Sequence, residues 1–167
     1  MILGKIPITW DDKDYIDLPW VSAVESIGGD PTAGFDINKE YLDCFKNVDH
    51  YKITDVPKKF IKLAEQFKLK NTVVVLSKMI PGQILPFHID KYSYYSKKHN
   101  IKDKSKIKRI IIFLENIKPG HQLWIENQFC QGEAGSYFGW NGNTKHMAAN
   151  LGETDRYVLQ ITGTIEE

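Results

Sequence analysis

The stretch TVVVLSKMIPGQILPFHID, residues 72–90, decides the fold that we expect for this chain. Residues 72–80 are rich in β-branched side chains, which favour extended strands. Pro81 and Gly82 follow directly, and this pair of residues favours a turn. Residues 84–89 form another short apolar run. The stretch therefore predicts two short strands with a turn between them.

The chain beyond residue 100 repeats this organisation of short apolar runs separated by Gly, Asn and Pro. The run at 108–114 is almost wholly apolar, as is typical of a central strand. The other expected strands lie at 121–125, 136–140, 145–150 and 157–165. Seven or eight short strands of this kind indicate a β-sandwich or a jelly-roll barrel.

Two helices are expected before the strands, after an irregular segment at residues 1–35. Asp36 is the candidate N-cap of the first helix, and Asp55 is the candidate cap of the second, with Pro57 near its first turn. The apolar positions that support the two helices are Ile37, Tyr41 and Phe45, and then Phe60, Ala64 and Phe67. The whole pattern predicts an α+β, mainly β fold in which the N-terminal helices pack on one sheet.

Length and composition favour a single domain over residues 1–167, with residues 1–70 carrying the helices and 71–167 the jelly-roll core. The formal net charge of +1 gives no reason to expect a nucleic acid or a membrane as partner. Cys44 and Cys130 form no CxxC motif, so two buried, reduced thiols are expected. Residues 1–14 lack the layout of a secretion signal, and no apolar run has the length of a membrane span. A cytoplasmic protein is therefore expected.

The segment 91–108, called here the basic loop, stands out by its charge. Together with Arg109 it contains eight Lys or Arg residues and one acidic residue, Asp103, with three tyrosines interleaved. It is too polar for a core strand and too long for a tight turn. Two interpretations stay open: a solvated mobile loop, or a lid that orders over an anionic substrate.

The sequence His88-Ile89-Asp90 places two metal-ligand side chains two residues apart on an expected strand. Residues i and i+2 of a strand point to the same face, so the imidazole and the carboxylate can converge on one cation. His146, on another expected strand, offers a third ligand. Two histidines and one carboxylate on one face of a β-barrel form the facial triad of non-haem iron(II). Zinc accepts the same ligands, so these residues alone do not name the metal.

Arg156 follows His146 by ten residues and begins the next expected strand. A turn at 151–152 sets that strand beside the first, and the guanidinium can then point into the same cavity. A buried guanidinium needs an anionic partner, and its fork geometry suits a carboxylate. A small dicarboxylate that reaches from Arg156 to the metal fits both ends. The alternative is an ordinary surface arginine.

His88, Asp90, His146 and Arg156 resemble the pattern of the iron(II)- and 2-oxoglutarate-dependent oxygenases in identity, order and spacing. That pattern is His-x-Asp, a distant His, and an Arg or Lys about ten residues further on. The family core is a double-stranded β-helix, a jelly roll of the cupin-like kind, and the resemblance implies this core here. It covers about residues 71–165, whereas residues 1–70 resemble no family.

Within that superfamily the chain is most similar to the aspartyl/asparaginyl β-hydroxylase branch, through Pro81-Gly82, Pro86 and Arg109 at the head of an apolar strand. In that branch the strand Arg, and a Ser eleven residues before the first metal His, contact 2-oxoglutarate. The resemblance therefore implies this role for Arg109 and Ser77.

Two positions depart from the branch. It often has Gly where this chain has Asp90, so the triad is complete here, and it has a His where this chain has Ile111. The second difference alters the contacts expected with 2-oxoglutarate. It also weakens the expectation that Asp or Asn side chains are the substrates.

The resemblance implies a hydroxylase that couples oxidative decarboxylation of 2-oxoglutarate to hydroxylation of a substrate by dioxygen. Iron(II) would be held by His88, Asp90 and His146, and 2-oxoglutarate by Arg156, Ser77 and Arg109. The substrate stays open: a protein side chain, an amino acid or a small metabolite, and an anionic one if the basic loop is a lid.

Three other functions stay open at this point. A cupin-like barrel that binds a metal or a small acid without oxygen chemistry needs the same three ligands, but neither Arg156 nor Ser77. A zinc-dependent hydrolase or isomerase needs a further general base, for which Glu126 and Glu133 are available. Nucleic-acid binding rests only on the basic loop and is disfavoured.

The remaining histidines and the aromatic residues near the ligands have plainer expected roles. His50, His99 and His121 have no acidic or imidazole neighbour at ligand spacing, so surface or loop positions are expected. Aromatic residues close to the ligands in sequence are expected in the core or the cavity wall, and Trp140 is a candidate for contact with the substrate.

Overall fold

The computed structural model describes residues 1–165, which consist mainly of antiparallel strands. The strands in chain order are β1 (Ile2–Lys5), β2 (Val21–Ser22), β3 (Phe35–Asp36), β4 (Tyr51–Ile53), β5 (Lys70–Met79), β6 (Ile84–Asp90), β7 (Ile107–Phe113), β8 (His121–Ile125), β9 (Gln128–Phe129), β10 (Ser136–Asn141), β11 (His146–Asn150) and β12 (Arg156–Thr164). The helices are α1 (Lys39–Leu42), α2 (Lys58–Glu65) and α3 (Ser93–Lys98). Single turns of 3₁₀ helix lie at Asp12–Asp14, Glu25–Ile27, Pro31–Ala33 and Lys104–Lys106.

The strands form two sheets that face each other, as in a double-stranded β-helix. The larger sheet has the order β1-β10-β7-β12-β5-β4-β2, and the smaller has the order β3-β6-β11-β8-β9. Side chains from β7, β10 and β12 of the larger sheet pack between the sheets against Leu123 and Ile125 of β8. The fold class predicted from the sequence, a mainly β jelly-roll core with N-terminal helices, is confirmed.

The outer face of the larger sheet is also covered, by the N-terminal segment. Phe60 and Ala64 of α2 pack with Leu76 and Leu159 in one buried cluster, which Trp10 also joins. Burial on both faces explains why most positions of β7 and β12 carry apolar side chains. The short α1 lies elsewhere, against the smaller sheet, where the Tyr41 hydroxyl accepts a hydrogen bond from the Phe87 amide at 3.4 Å.

The predicted strands agree with the observed ones to within two residues, but the predicted helix caps are wrong. Asp36 is held extended in β3 by pairing with Ile89, and the side chain of Asn38 caps α1 instead. Asp55 does not cap α2, because Pro57 occupies its N-cap position with no side-chain hydrogen bond. The strands of the first 70 residues have at most four residues each and were not predicted.

Two smaller expectations also need correction. Cys130 is buried as expected, but Cys44 is exposed, since it lies just beyond the end of α1. The basic loop is not simply a solvated segment, because it contains α3 and buries Tyr92 and Tyr95. The Tyr95 hydroxyl donates a hydrogen bond to the Asn71 carbonyl at 2.9 Å. None of the helices in residues 1–165 is long and apolar enough to cross a membrane.

Candidate metal centre

His88, Asp90 and His146 come together between the two sheets. β6 and β11 are neighbours in the smaller sheet, and their register pairs His88 directly with His146. One Asp90 carboxylate oxygen lies 3.4 Å from His88 Nε2, and the other lies 3.7 Å from His146 Nε2. Two ligand atoms bound about 2.1 Å from one ion are roughly 3–4 Å apart. The three side chains therefore stand close to the spacing that a single ion requires.

A bulge in β6 aims His88 into this space. Between His146 and Ala148 of β11 the register slips, and Ala148 pairs with Leu85 rather than with Pro86. Pro86 has no amide hydrogen to give to the ladder, which suits it to a bulge. Because β6 carries this extra residue, both Leu85 and His88 face the cavity between the sheets.

Backbone carbonyls orient both imidazoles. His88 Nδ1 lies 2.6 Å from the Pro86 carbonyl, and His146 Nδ1 lies 3.0 Å from the Thr144 carbonyl. A carbonyl only accepts, so each Nδ1 carries the proton and each Nε2 presents its lone pair to the centre. Burial also lowers the pKa of His146 to about 4 and keeps it neutral. This is the arrangement that metal-binding histidines adopt.

Asp90 is ionised and already has a cationic neighbour. Burial alone would raise its pKa, but the opposing interactions, led by the charge of Arg109, hold the pKa of Asp90 far below its ordinary value. Arg109 Nη2 lies 3.0 Å from the Asp90 carboxylate. The Tyr92 hydroxyl accepts a 3.3 Å hydrogen bond from Arg109 Nε, and the Tyr92 ring lies beside the guanidinium. Asp90 thus carries the negative charge that a cation needs.

Arg109 lies at the metal end of the cavity and not beside Arg156. In the register, Arg109 pairs with Thr162 of β12, and Arg156 begins that same strand. Six residues of strand separate Thr162 from Arg156, about 20 Å at 3.3 Å per residue. The expected contact of Arg109 with the co-substrate therefore belongs near the metal, not at the far carboxylate.

One cavity of about 280 Å³ brings all the predicted site residues together. The predicted residues that line it are Ser77, His88, Asp90, Arg109, His146 and Arg156. Among the described residues that line it, Asp90 is the only acidic one. Glu126 and Glu133 do not line it, and Glu133 instead pairs with Lys5 at an exposed position. The further general base that a hydrolase needs is therefore not one of these glutamates.

Arg156 is buried in this cavity and forms no ion pair with any residue that the structure describes. The charge of Glu115 acts favourably on it, but the Glu115 carboxylate is paired with Lys118 at 3.1 Å. The side chain is 5% exposed, so the alternative of a surface arginine is wrong. Its Nη1 contacts only the Met79 sulfur, at 3.8 Å, and its Nη2 has no hydrogen-bond partner among the described residues. Burial lowers the pKa of Arg156 to about 10, which still leaves it charged at neutral pH. A buried, charged donor without an acceptor is the usual sign of a missing ligand.

The N-terminal segment closes one side of the cavity, which the sequence did not reveal. Apolar side chains of Val24, Ile27 and Phe35 line it, and the Phe35 ring lies 4.2 Å from the His88 ring between centroids. His50 and Lys52, around the start of β4, line it too. These contacts depend on the pairing of β3 with β6 and of β4 with β5. The local sequence does not predict either pairing.

The surface or loop position expected for the other histidines holds for His50 but not for His121. His50 lies in the loop before β4, where its Nδ1 atom is buried without a hydrogen-bond partner among the described residues, and burial lowers its pKa to about 4. His121 is buried beside the Thr154 carbonyl, 3.1 Å from its Nε2. His99 is half-buried and its ring lies 4.8 Å from that of Tyr95.

Trp140 lies in the cavity wall, as expected. Its ring lies 4.6 Å from the His146 ring, and its buried Nε1 has no partner among residues 1–165. An indole N–H can only donate, so a ligand that satisfies it must bring an acceptor. The expected contact between Trp140 and a substrate remains a prediction.

Comparison with known proteins adds similarities of fold only. No family model matches the sequence, and no curated protein matches it. Among solved structures, the chain is similar to a predicted oxalate decarboxylase from Thermotoga maritima, at 14% identity and a TM-score of 0.45 over 70% of this chain and 82% of that one. KdgF from Halomonas sp. is similar at 13% identity and a TM-score of 0.44, over 70% and 82% of the two chains. A cupin protein from Bacteroides fragilis is similar at 14% identity and a TM-score of 0.41, over 63% and 78%. Similarities at this level say nothing of the ligands or the activity of this chain.

Proposed function

We propose that this protein is a non-haem iron(II) oxygenase that couples oxidative decarboxylation of 2-oxoglutarate to hydroxylation of a substrate. The observation that carries the proposal is the buried, unpartnered guanidinium of Arg156 in the same cavity as His88, Asp90 and His146. Three metal ligands alone support any metal-binding barrel. Glu115 acts on Arg156 only through its charge and is paired with Lys118, so the unpartnered Nη2 of the guanidinium supports binding of an anion from outside the chain.

A dicarboxylate with a 2-oxo group meets the needs of both ends of the cavity. One end offers three protein ligands, which leave open coordination positions on a metal. The other end offers Arg156, with the Ser77 side chain on the same face of the neighbouring strand. A guanidinium binds a carboxylate through two parallel hydrogen bonds, and a serine hydroxyl can add a third. Arg156 and Ser77 would thus fix the far carboxylate and set the orientation of the 2-oxo acid.

The chain contributes position, charge and exclusion of water. His88, Asp90 and His146 would hold the iron, and Arg109 would keep Asp90 ionised and fixed. When bound, iron(II) and 2-oxoglutarate supply the activation of dioxygen, with succinate and carbon dioxide as products of the co-substrate. Phe35, Trp140 and Leu123 form apolar walls around the ligands, which limit the access of water to the reaction.

A second candidate function is favoured by the ion pair between Arg109 and Asp90. At 3.0 Å this pair gives the carboxylate a partner without any metal. A cupin-like barrel that binds a metal or a small acid, without oxygen chemistry, is consistent with that contact. The two candidates share the ligand set and differ in whether bound 2-oxo acid is consumed.

Turnover of 2-oxoglutarate distinguishes them. With iron(II), ascorbate and air, the proposed oxygenase should convert 2-oxoglutarate slowly to succinate even without its substrate, as measured by NMR of the two acids. Asp90→Asn should abolish this conversion, because the metal loses its only carboxylate ligand. Glu126→Gln, which changes an exposed acid outside the cavity, is the matched control and should behave as the wild type. Binding of iron and 2-oxoglutarate without any succinate would favour the binding barrel instead.

A further inference from the structure

We infer that Lys52 is a second cation of the subsite that binds the far carboxylate of 2-oxoglutarate, an inference that rests on the function proposed above. Lys52 belongs to β4, in the N-terminal segment. It is not part of the sequence pattern formed by His88, Asp90, His146 and Arg156. If Lys52 has this role, the segment before the jelly-roll core completes the co-substrate site.

The strand register places Lys52 directly beside Ser77. β4 and β5 are antiparallel, and Lys52 pairs with Ser77. Directly paired residues of an antiparallel sheet point to the same face, with Cβ atoms roughly 5 Å apart. Both side chains line the cavity between the sheets. Lys52 is thus a directly paired cross-strand neighbour of the serine assigned to the carboxylate.

Arg156 approaches the same serine from the other side. Ser77 pairs with Val158 of β12, and Arg156 precedes Val158 by two residues on the same face. With strands about 4.8 Å apart and residues about 3.3 Å apart, the Cα atoms of Lys52 and Arg156 are about 12 Å apart, with Ser77 between them. Long lysine and arginine side chains can therefore both reach one carboxylate that lies over Ser77.

Lys52 has no competing partner. Its side chain is half-buried, and it makes no hydrogen bond or ion pair with any residue that the structure describes. Within the part of the chain that the structure describes, the one acidic residue that lines the cavity is Asp90, and it is already paired with Arg109. By contrast, the neighbouring Lys78 points to the opposite face, where it lies near the rings of Trp20 and Tyr51.

The charge of the cavity also favours an anion at this end. Apart from the imidazoles, its charged lining residues are Lys52, Arg109, Arg156 and Asp90, a net charge of +2 before any metal binds. One guanidinium is enough for a single carboxylate elsewhere in proteins. Two cations around one serine hydroxyl should give tighter binding and a sharper preference for 2-oxo acids that carry a second carboxylate.

Binding calorimetry under Mn(II), which does not turn over the co-substrate, tests the assignment. The ligands are 2-oxoglutarate and 2-oxopentanoate, which lacks the far carboxylate. Lys52→Met should raise the Kd of 2-oxoglutarate by roughly 10- to 100-fold, as expected for a lost charge-assisted hydrogen bond, and leave the Kd of 2-oxopentanoate unchanged. Lys52→Arg should restore most of the affinity. Lys62→Met, which removes the same charge from an exposed position on α2, is the matched control.

Three results would overturn the assignment. If Lys52→Met binds 2-oxoglutarate as tightly as the wild type, Lys52 belongs to another part of the site, such as the one for the primary substrate. If Lys52→Met raises the Kd of both 2-oxo acids equally, the role of Lys52 is structural or a general effect of its charge. Should Lys52→Met fail to fold, Lys52→Gln repeats the comparison. If the wild type itself binds no 2-oxoglutarate, the proposed function fails as well, and the wild-type titration separates that outcome from the first two.

Discussion

At the scale of single residues, the buried position of Arg156 is unfavourable for a charged side chain in the protein without ligands. It begins β12 with its guanidinium buried, its Nη2 unpartnered and only the Met79 sulfur near Nη1. Taking a charge out of water without a partner costs several kcal/mol in real proteins. Glu115 offsets this cost only in part, and we expect an anion bound at Arg156 to offset more of it.

Arg156→Met should consequently separate stability from binding. Without ligands, the variant should be more stable than the wild type by about 1–3 kcal/mol, because it removes an unpaired buried charge and keeps the volume. Its affinity for 2-oxoglutarate should fall by about 2–4 kcal/mol, since the carboxylate loses a charge-assisted pair. Urea unfolding of the metal-free protein and calorimetry with Mn(II) measure the two effects. A less stable variant that binds 2-oxoglutarate normally would refute this interpretation of Arg156.

The site residues that the sequence revealed are those tied together by local spacing. His88 and Asp90 share a face because they are two residues apart on a strand. Arg156 follows His146 by ten residues, which is the length of one short strand and a turn. The ion pair between Arg109 and Asp90 could not be predicted, since it depends on how the two sheets lie across each other. The same holds for Lys52, which reaches the cavity only through the pairing of β4 with β5.

At the scale of elements, the longer strands were predictable and the short ones were not. β5, β7 and β12 have seven to ten residues each and contain apolar runs at 73–76, 110–113 and 157–159, which is a strong signal. β2, β3 and β4 have two or three residues each, too few to show any period, and form only because longer strands offer them a partner. Competition between such pairing and capping also explains why Asp36 ends in a strand and not at a helix cap.

The basic loop is held to the rest of the protein by Tyr92 and Tyr95, which are buried on either side of two exposed residues. Tyr95 is buried against Ile107 and donates a hydrogen bond to the Asn71 carbonyl, whereas Tyr94 is 78% exposed. Whether the segment also closes over an anionic substrate remains a prediction. The attachment of the basic loop to the rest of the protein depends on packing. Substitutions at the neighbouring residues Tyr94 and Tyr95 can test this packing.

Tyr95→Ala should loosen the basic loop, and Tyr94→Ala should not. Loss of the buried ring removes its packing and its hydrogen bond, and truncation of a buried aromatic side chain costs about 3 kcal/mol or more. Trypsin should then cleave Tyr95→Ala faster at Lys97 and Lys98, in α3, than it cleaves the wild type. Limited proteolysis followed by mass spectrometry locates the cuts. Equal cleavage rates in the two variants would mean that Tyr95 does not anchor the segment.

At the scale of the whole molecule, the N-terminal segment serves both the core and the cavity. Its side chains cover the outer face of the larger sheet with Trp10, Tyr15 and Phe60. Its middle part, between Tyr15 and α2, lines the cavity with Val24, Phe35 and His50. The jelly-roll core alone would therefore leave one face of its larger sheet and one wall of its site uncovered. The family resemblance covers only about residues 71–165, whereas in the structure residues of the N-terminal segment also line the cavity.

The central claim is that three metal ligands and a carboxylate-binding end share one cavity, and an anaerobic spectroscopic titration tests it most directly. Adding 2-oxoglutarate to the iron(II)-loaded protein without oxygen should produce the weak visible charge-transfer band of the chelate, saturating at one equivalent per chain. His146→Ala should lose the band, and His99→Ala, which changes a half-buried histidine outside the cavity, should retain it. A protein that binds iron(II) but shows no band at any 2-oxoglutarate concentration would contradict the claim.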